Sequence, residues 1–292
     1  MGFLLLERAY AKINLTLDVL GRRPDGYHEV DMVMQSIDLS DLVWLDKRYD
    51  GRIVLETSAA HIPTDDRNLC VQAAKVFFRH TGIQSGVHIN LEKNIPVAAG
   101  LAGGSSDAAA VLRGLNRLFG TERSLGEIAE MAAEIGSDVP FCVYGGTAIA
   151  QGRGERLTHI PHQCQMQVLL IHPRMFVSTG EIYQALEPGD FVSHTTSLVM
   201  KEALQKQDVD AIPKLVANRL QRVTFSLYPE VAQLADKVET VTRTRVHMSG
   251  SGPTLFCLAP TVQQANRMYN ALRGIMRDVY MTHFVTNPPV GG

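Results

Sequence analysis

The chain is poor in cysteine and tryptophan and carries almost no net charge. Its four cysteines, Cys70, Cys142, Cys164 and Cys257, lie far apart with no Cys-x-x-Cys pair. That excludes a disulfide framework and fits reduced thiols in a cytoplasmic protein. A net charge of −2 over 292 residues excludes a general nucleic-acid binder, whose surface would be basic. No long apolar run occurs, and Leu4-Leu5-Leu6 is too short for a membrane span or a signal peptide. His159-x-x-His162-x-Cys164 lacks a second ligand pair, so no metal centre is read there. What remains is an ordinary globular composition, 45% hydrophobic and 20% charged, with enough chain for one large or two medium domains.

The most informative stretch runs from Pro96 to Ala110. Upstream, Val87, Ile89 and Leu91 alternate with His88, Asn90 and Glu92, as in a half-buried strand. Downstream, Ala108, Val111, Leu112, Leu115, Leu118 and Phe119 keep helical spacing, and Ser105, Ser106 and Asp107 are the expected N-cap residues. The order strand, glycine-rich loop, helix N-terminus suits an anion, phosphate above all. A tight turn with no ligand is the other reading. No Lys follows the glycines and the Gly-x-Gly-x-x-Gly spacing is absent, which excludes the two best-known nucleotide loops. A cationic partner must come from elsewhere in the chain.

Along the chain, Ala9 to Leu20 alternate cleanly and place Lys12 and Asn14 on one side of a strand. Periodicity leaves open whether that side is solvated or a site. Gly21 to Gly26 form a turn, and short strands are expected over 32–37, 42–45 and 53–55. The pattern predicts helices over 68–80, ended by Gly82, and over 125–135, opened by a Ser124/Glu127 capping box. Asp65-Asp66 reads as a charge at a helix start. Residues 159–164 read as a linker into a second unit. That unit has strands at 168–172, 246–248, 254–258 and 279–284 and helices at 180–186, 198–205, 211–220, 230–241 and 262–273. Strands and helices alternate without the βαβ rhythm of a doubly wound sheet, so the expected class is α+β with two domains, 1–158 and 159–292. Asp138, in Gly136-Ser137-Asp138-Val139-Pro140, is either a reactive carboxylate or the cap of the turn at Pro140.

Five segments occur together in a family's order: Ala11–Leu15, Arg23–Glu29, Pro96–Ala108, Gly136–Phe141 and Met248–Pro253. The chain resembles the galactokinase, homoserine, mevalonate and phosphomevalonate (GHMP) kinase superfamily. Within it, the resemblance is to the kinases of 4-diphosphocytidyl-2-C-methyl-D-erythritol. It implies a two-domain GHMP kinase fold, with an N-terminal ribosomal-S5-like and a C-terminal ferredoxin-like domain. It also implies ATP as phosphate donor, Mg²⁺, and a small-molecule acceptor phosphorylated at its 2-hydroxyl in the non-mevalonate isoprenoid route, with no nucleic-acid or membrane partner. By the same resemblance Asp138 and Lys12 are catalytic. ATP would contact Asn68, Pro96, Val97, Ala98, Ala99, Gly100, Leu101, Ala102, Gly103, Gly104, Ser105 and Ser106, with Ser105 or Ser106 toward Mg²⁺. Asn14, Tyr27, His28, Thr179 and Tyr183 would bind the acceptor, the two tyrosines enclosing the cytosine. Two departures stand out: Ala102 occupies a position that is often Gly, and Asn218-Arg219-Leu220-Gln221 replaces a more usual Asn-x-Leu-Glu.

Three alternatives stand beside this reading. Another superfamily kinase, for homoserine or mevalonate, is opposed by Tyr27-His28. A non-catalytic nucleotide sensor would be expected to lack Asp138 or Lys12. A serine hydrolase using Ser105 would need a glycine where Asp107 stands.

Overall fold

The computed structural model describes residues 4–287; the outer domain limits, 1 and 292, lie outside them. The first half contains β1 (Leu5–Arg22), β2 (His28–Arg48), β3 (Ile53–Thr57), α1 (Leu69–Thr81), β4 (Gly86–Glu92), α2 (Gly103–Phe119), α3 (Leu125–Ala133), α4 (Val139–Tyr144), β5 (Thr147–Gly152) and β6 (Arg156–His159). The second contains β7 (Gln167–Ile171), α5 (Thr179–Gln184), α6 (Ser197–Gln205), α7 (Ile212–Leu215), β8 (Ala217–Asn218), α8 (Arg219–Leu227), α9 (Pro229–Thr242), β9 (His247–Met248), β10 (Leu255–Ala259), α10 (Val262–Arg273) and β11 (Val279–His283). The class is α+β, as expected.

The described strands build two sheets. The first has the order β3-β4-β2-β1-β8, with β5 on β2 and β6 on β5. The long β2 is shared: its first part pairs with β5 and its last part with β4, while β1 follows it on the other edge. The second sheet, β11-β7-β10-β9, is antiparallel throughout. One core lies mainly between the first sheet and α1–α4, and a second joins the opposite side of β1 to β7, β10 and α6.

Local signals explain several elements. Asn68 caps α1 by accepting the Cys70 N–H at 2.9 Å, and Gly82 closes it in the left-handed region. Ser124 and Glu127 form the expected capping box on α3.

Other expectations need correction. The strands expected at 32–37 and 42–45 are one continuous β2, which runs through Asp38 and Leu39 opposite the first register shift and pairs with β1 again at Ser40 and Asp41. The helix expected over 211–220 breaks after Leu215. The chain then adds Ala217–Asn218 in parallel to β1, and Asn218 caps the new helix α8 through the Leu220 N–H. The 159–164 segment is no loose linker: Ile160, His162 and Cys164 are buried, and His162 Nε2 lies 2.7 Å from Thr147 Oγ1. Asp65 is held by Arg67 rather than opening α1. Finally, α2 starts at Gly103, earlier than expected. Its cap is Ala102 in the left-handed region, and none of Ser105, Ser106 or Asp107 caps it.

Candidate active site

The β1–β2 register shifts between Tyr10 and Lys12, where Ile37, Asp38 and Leu39 of β2 stand opposite Ala11 alone, and again between Asn14 and Thr16, where the extra residue belongs to β1. One extra residue turns a strand over. Accordingly Ala9, Leu17 and Val19 face the helix-side core, whereas Ala11, Ile13 and Leu15 face the other. The inverted segment sends Lys12 and Asn14 toward the side where α2 and α4 begin. Both are buried, Lys12 to 4% exposure. The Thr16 hydroxyl accepts the Val33 N–H at 2.9 Å beside the second bulge, supplying a partner where the ladder is interrupted.

Lys12 Nζ donates to Asn14 Oδ1 at 2.8 Å and lies 3.3 Å from Asp138 Oδ2. Asp138 occupies the N-cap position of α4, yet its side chain makes no capping bond there. Its carboxylate instead meets the lysine, with 30% of the side chain exposed to the cleft. The C-terminal end of α4 is held by the buried Arg113, which donates to the Cys142 carbonyl at 2.7 Å.

The glycine-rich loop crosses this pair. The Lys12 N–H donates to Leu101 O at 3.1 Å, so the loop hangs on β1 itself. Starting at Gly103, α2 turns the N–H groups of Gly103, Gly104 and Ser105 to the cleft without intrahelical partners. Ser105 lines the cleft, whereas the buried Ser106 donates its hydroxyl to Tyr10 O at 2.6 Å. A second glycine loop, Ser249–Pro253, backs the first. Ser249 Oγ donates to Gly100 O at 2.9 Å, and a Cβ on Gly100 would collide with the Ser249 carbonyl oxygen. Only glycine permits that approach. Asn218 Nδ2 donates to Met248 O and Gly250 O, and Gln221 Oε1 accepts from the Met248 N–H. The unusual glutamine therefore works as a neutral acceptor.

A cavity of about 750 Å³ joins these parts. Besides Lys12, Asn14 and Asp138, it is lined by Tyr27, His28, Thr179 and Tyr183. His28 packs on Tyr183 with ring centroids 5.2 Å apart, and on Phe191 at 6.1 Å. Burial, then the neighbouring Arg22 charge, hold His28 below its ordinary pKa, so at neutral pH its ring offers one donor and one acceptor. Burial pushes the Tyr183 phenol upward. Thr179 Oγ1 lies 2.7 Å from Ser251 Oγ, tying α5 to the second glycine loop.

The remaining expected residues lie around this cavity. Ala98, Ala99, Gly100 and Ala102 line it. Pro96 and Val97 line a neighbouring cavity with Lys93, His61 and His172, and Ala98 borders both. Leu101 is buried in the second core. Both ends of the Asn68 amide are engaged, by Cys70 N–H and Pro63 O, and Leu69 beside it faces the main cavity. The sequence reading did not assign Gly250, Ser251 and Gly252, nor Arg22 and Arg153, all of which line it. For the second glycine loop the Ser-Gly-Ser-Gly-Pro run was the available signal.

Family comparisons agree with this geometry. Residues 68–146 match the GHMP kinases N terminal domain, and residues 200–278 match the GHMP kinases C terminal family. A 4-diphosphocytidyl-2-C-methyl-D-erythritol kinase from Geobacillus sp. is 51% identical over 276 residues, spanning 94% of this chain and 95% of its own. The one from Brevibacillus brevis is 47% identical over 278 residues, 95% of each chain. The chain belongs to the GHMP kinases. The crystal structure of a 4-(cytidine 5′-diphospho)-2C-methyl-D-erythritol kinase, 33% identical, superposes with a TM-score of 0.82 over 99% of this chain and 100% of that one. The GHMP kinase fold places both matched segments around one cleft: Gly103–Ser105 and Asp138 come from the first, and Leu220 and Gly250–Gly252 from the second. Among the described residues no group of three His, Cys, Asp or Glu side chains forms a metal cage, and no helix is long and apolar enough to cross a membrane.

Proposed function

We propose that this GHMP kinase transfers the γ-phosphate of ATP to the 2-hydroxyl of 4-diphosphocytidyl-2-C-methyl-D-erythritol, in the cytoplasm, as a step toward isoprenoid precursors. The observation that carries the reading is the Lys12–Asp138 pair, 3.3 Å apart at the floor of a cleft that also holds a helix N-terminus and an aromatic–histidine wall.

In this reading Asp138 accepts the proton of the acceptor hydroxyl while its oxygen attacks the γ-phosphorus. The bond from that phosphorus to the β,γ-bridging oxygen breaks, and ADP leaves. A loose phosphoryl-transfer transition state calls for alignment and charge neutralisation. Lys12, aimed by Asn14, serves both, because its ammonium holds the carboxylate in place and faces the transferred group. The free N–H groups of Gly103, Gly104 and Ser105 would receive the donor's phosphates.

A bound Mg²⁺ would neutralise and orient those phosphates. It is usually held by one or two protein oxygens plus the phosphates themselves, so the lack of a cage among the described residues fits it. Ser105, which lines the cavity, is the residue suited to hold it, since the Ser106 hydroxyl is committed to Tyr10 O. The adenosine end of ATP fits the strip from Leu69 to Pro96 and Val97. His28 would read the cytosine edge between Tyr27 and Tyr183, with Thr179 and Asn14 toward the sugar and the polyol. Four unpaired, buried cysteines suit a reducing compartment.

The test is incubation with labelled ATP and a panel of alcohols: the cytidine diphosphate ester, homoserine and mevalonate. Label should appear only in the first. Transfer to homoserine or mevalonate at an equal or higher rate would overturn the assignment. No transfer to any alcohol, with ATP still bound, would favour a sensor.

A further inference from the structure

Four arginines cluster where the β1–β2 turn meets the β5–β6 turn, and they are used differently. Arg23 and Arg156 both bond Glu29, and Arg23 also bonds Asp25. These two are spent on tying the turns together. Arg22 and Arg153 instead line the catalytic cleft. Arg22 has no carboxylate within ion-pair distance among the described residues, and its charge is felt by His28. The Arg153 guanidinium lies 5.1 Å from the centroid of the Tyr27 ring, and its Nε is 4.0 Å from Glu155 Oε2, beyond hydrogen-bond reach. That Glu155 oxygen already accepts the Arg153 N–H at 2.6 Å. Asp25, the other acidic neighbour, accepts from the Tyr27 N–H and from Arg23.

The position of Arg153 is as informative as its charge. On one side it covers Tyr27, at the base end. On the other, its turn packs toward the reacting end: a Cβ on Gly154 would lie 3.9 Å from Ser137 Cβ and 2.8 Å from Met32 Cε, and Ser137 precedes Asp138. The turn that carries the arginine thus reaches from the aromatic wall toward the residue before the catalytic carboxylate. In a nucleoside diphosphate ester the diphosphate occupies that interval, between base with ribose and the reacting alcohol. Guanidinium groups match phosphate oxygens in pairs of hydrogen bonds.

We propose that Arg22 and Arg153 form the receptor for the acceptor's own diphosphate, so that this end of the cleft selects a nucleoside diphosphate ester over a nucleoside or a free polyol. The inference rests on the acceptor proposed above and adds the residues that recognise its charge.

The experiment is calorimetric titration of the full chain with cytidine and with cytidine diphosphate, for wild type, Arg22→Met, Arg153→Met and Arg153→Lys. Wild type should bind the diphosphate more tightly than the nucleoside. Each methionine variant should lose about tenfold in diphosphate affinity while cytidine changes by less than about twofold. Arg153→Lys should fall between, since the charge survives without the planar fork. In turnover, the loss should appear in KM for the acceptor rather than in kcat. Equal weakening of cytidine and its diphosphate in Arg153→Met would overturn the proposal, because the arginine would then only support Tyr27. Arg22→Met touches no aromatic ring in that way, and an unchanged diphosphate affinity in it would also overturn the proposal. Wild-type protein that binds ATP but neither cytidine ligand would instead remove the acceptor assignment, and this inference with it.

Discussion

The molecule holds two lysine–aspartate groups within reach of one glycine-rich loop, and they behave as opposites. Lys12 and Asp138 meet at 3.3 Å with the carboxylate open to the cleft. Lys93 sits beneath the loop, sealed between Asp41 and Asp107, with all three side chains under a tenth exposed. Asp41 also accepts the N–H groups of Asn94 and Ile95, so this group joins β2, the loop and the first turn of α2. A buried group whose charges are matched to one another exposes nothing to a substrate. A loosely matched pair at a cavity wall can exchange a proton and follow a ligand. The first arrangement holds the glycine-rich backbone in place, and the second faces the cleft that this backbone borders.

The sharpest way to break the comparison is to neutralise each aspartate or lysine in turn. Asp138→Asn should lower kcat by about 10²–10⁴-fold, with ATP and cytidine diphosphate still bound and unfolding shifted by less than about 1 kcal/mol. Single-turnover assays with calorimetry would check it; near wild-type turnover would remove the proton-acceptor role. Lys93→Met should do the reverse. It strands two buried carboxyl groups, at a cost of about 3–5 kcal/mol, read as a lower denaturant midpoint. A variant as stable as wild type would show that the group under the loop is not structural.

Titration separates the two groups further. Burial, reinforced by Asp41 and opposed by Lys93, pushes Asp107 up to about 8 from 3.8. The folded state therefore holds a proton that the unfolded state has released, and this group's contribution to stability declines as pH rises from about 4 to about 8. Asp107→Asn removes that proton, so wild type should lose more stability than the variant between pH 5 and pH 8, by about the effect of one proton. Chemical denaturation at the two pH values is the measurement. Parallel slopes would mean that Asp107 is ionised throughout.

Much of this was legible in the chain, and what was not has a physical reason. Helices α1 and α3 carry their signals within a few residues, in Asn68, Gly82, Ser124 and Glu127. The loop and the family segments likewise point to Lys12, Asp138, Tyr27 and His28 from the sequence alone. Periodicity could not show that two register shifts against β2 turn Lys12 and Asn14 inward, since such a shift leaves the alternation of residue types intact. Nor could it decide whether Asp138 caps α4 or faces Lys12, because the answer depends on a strand more than a hundred residues away. Asp38, Ser40 and Asp41 read as a gap between strands, yet β2 runs through them and Asp41 is buried for the loop's sake. Pro213, in the first turn of α7, and Asn218, at the cap of α8, were the local marks of the break that the helical pattern over 211–220 concealed.

The smallest expected effect lies where the two groups meet. Ala102 joins the loop held by Lys93 to the helix facing Lys12, and its backbone is left-handed, at φ 56°. That conformation costs a residue with a Cβ about 1–2 kcal/mol. Ala102→Gly relieves the strain, but glycine gives the unfolded chain extra freedom of about 0.4–1 kcal/mol. The terms largely cancel, so stability should move by less than about 1 kcal/mol in the favourable direction, with turnover close to wild type. A loss of stability would show that the methyl group contributes packing beyond its backbone cost. A large fall in turnover would show more, that it presses the loop onto Lys12 and that the two lysine groups are mechanically joined. Measured beside Ala102→Val, whose branched side chain fits this conformation worse, the pair of substitutions separates backbone strain from packing at this junction.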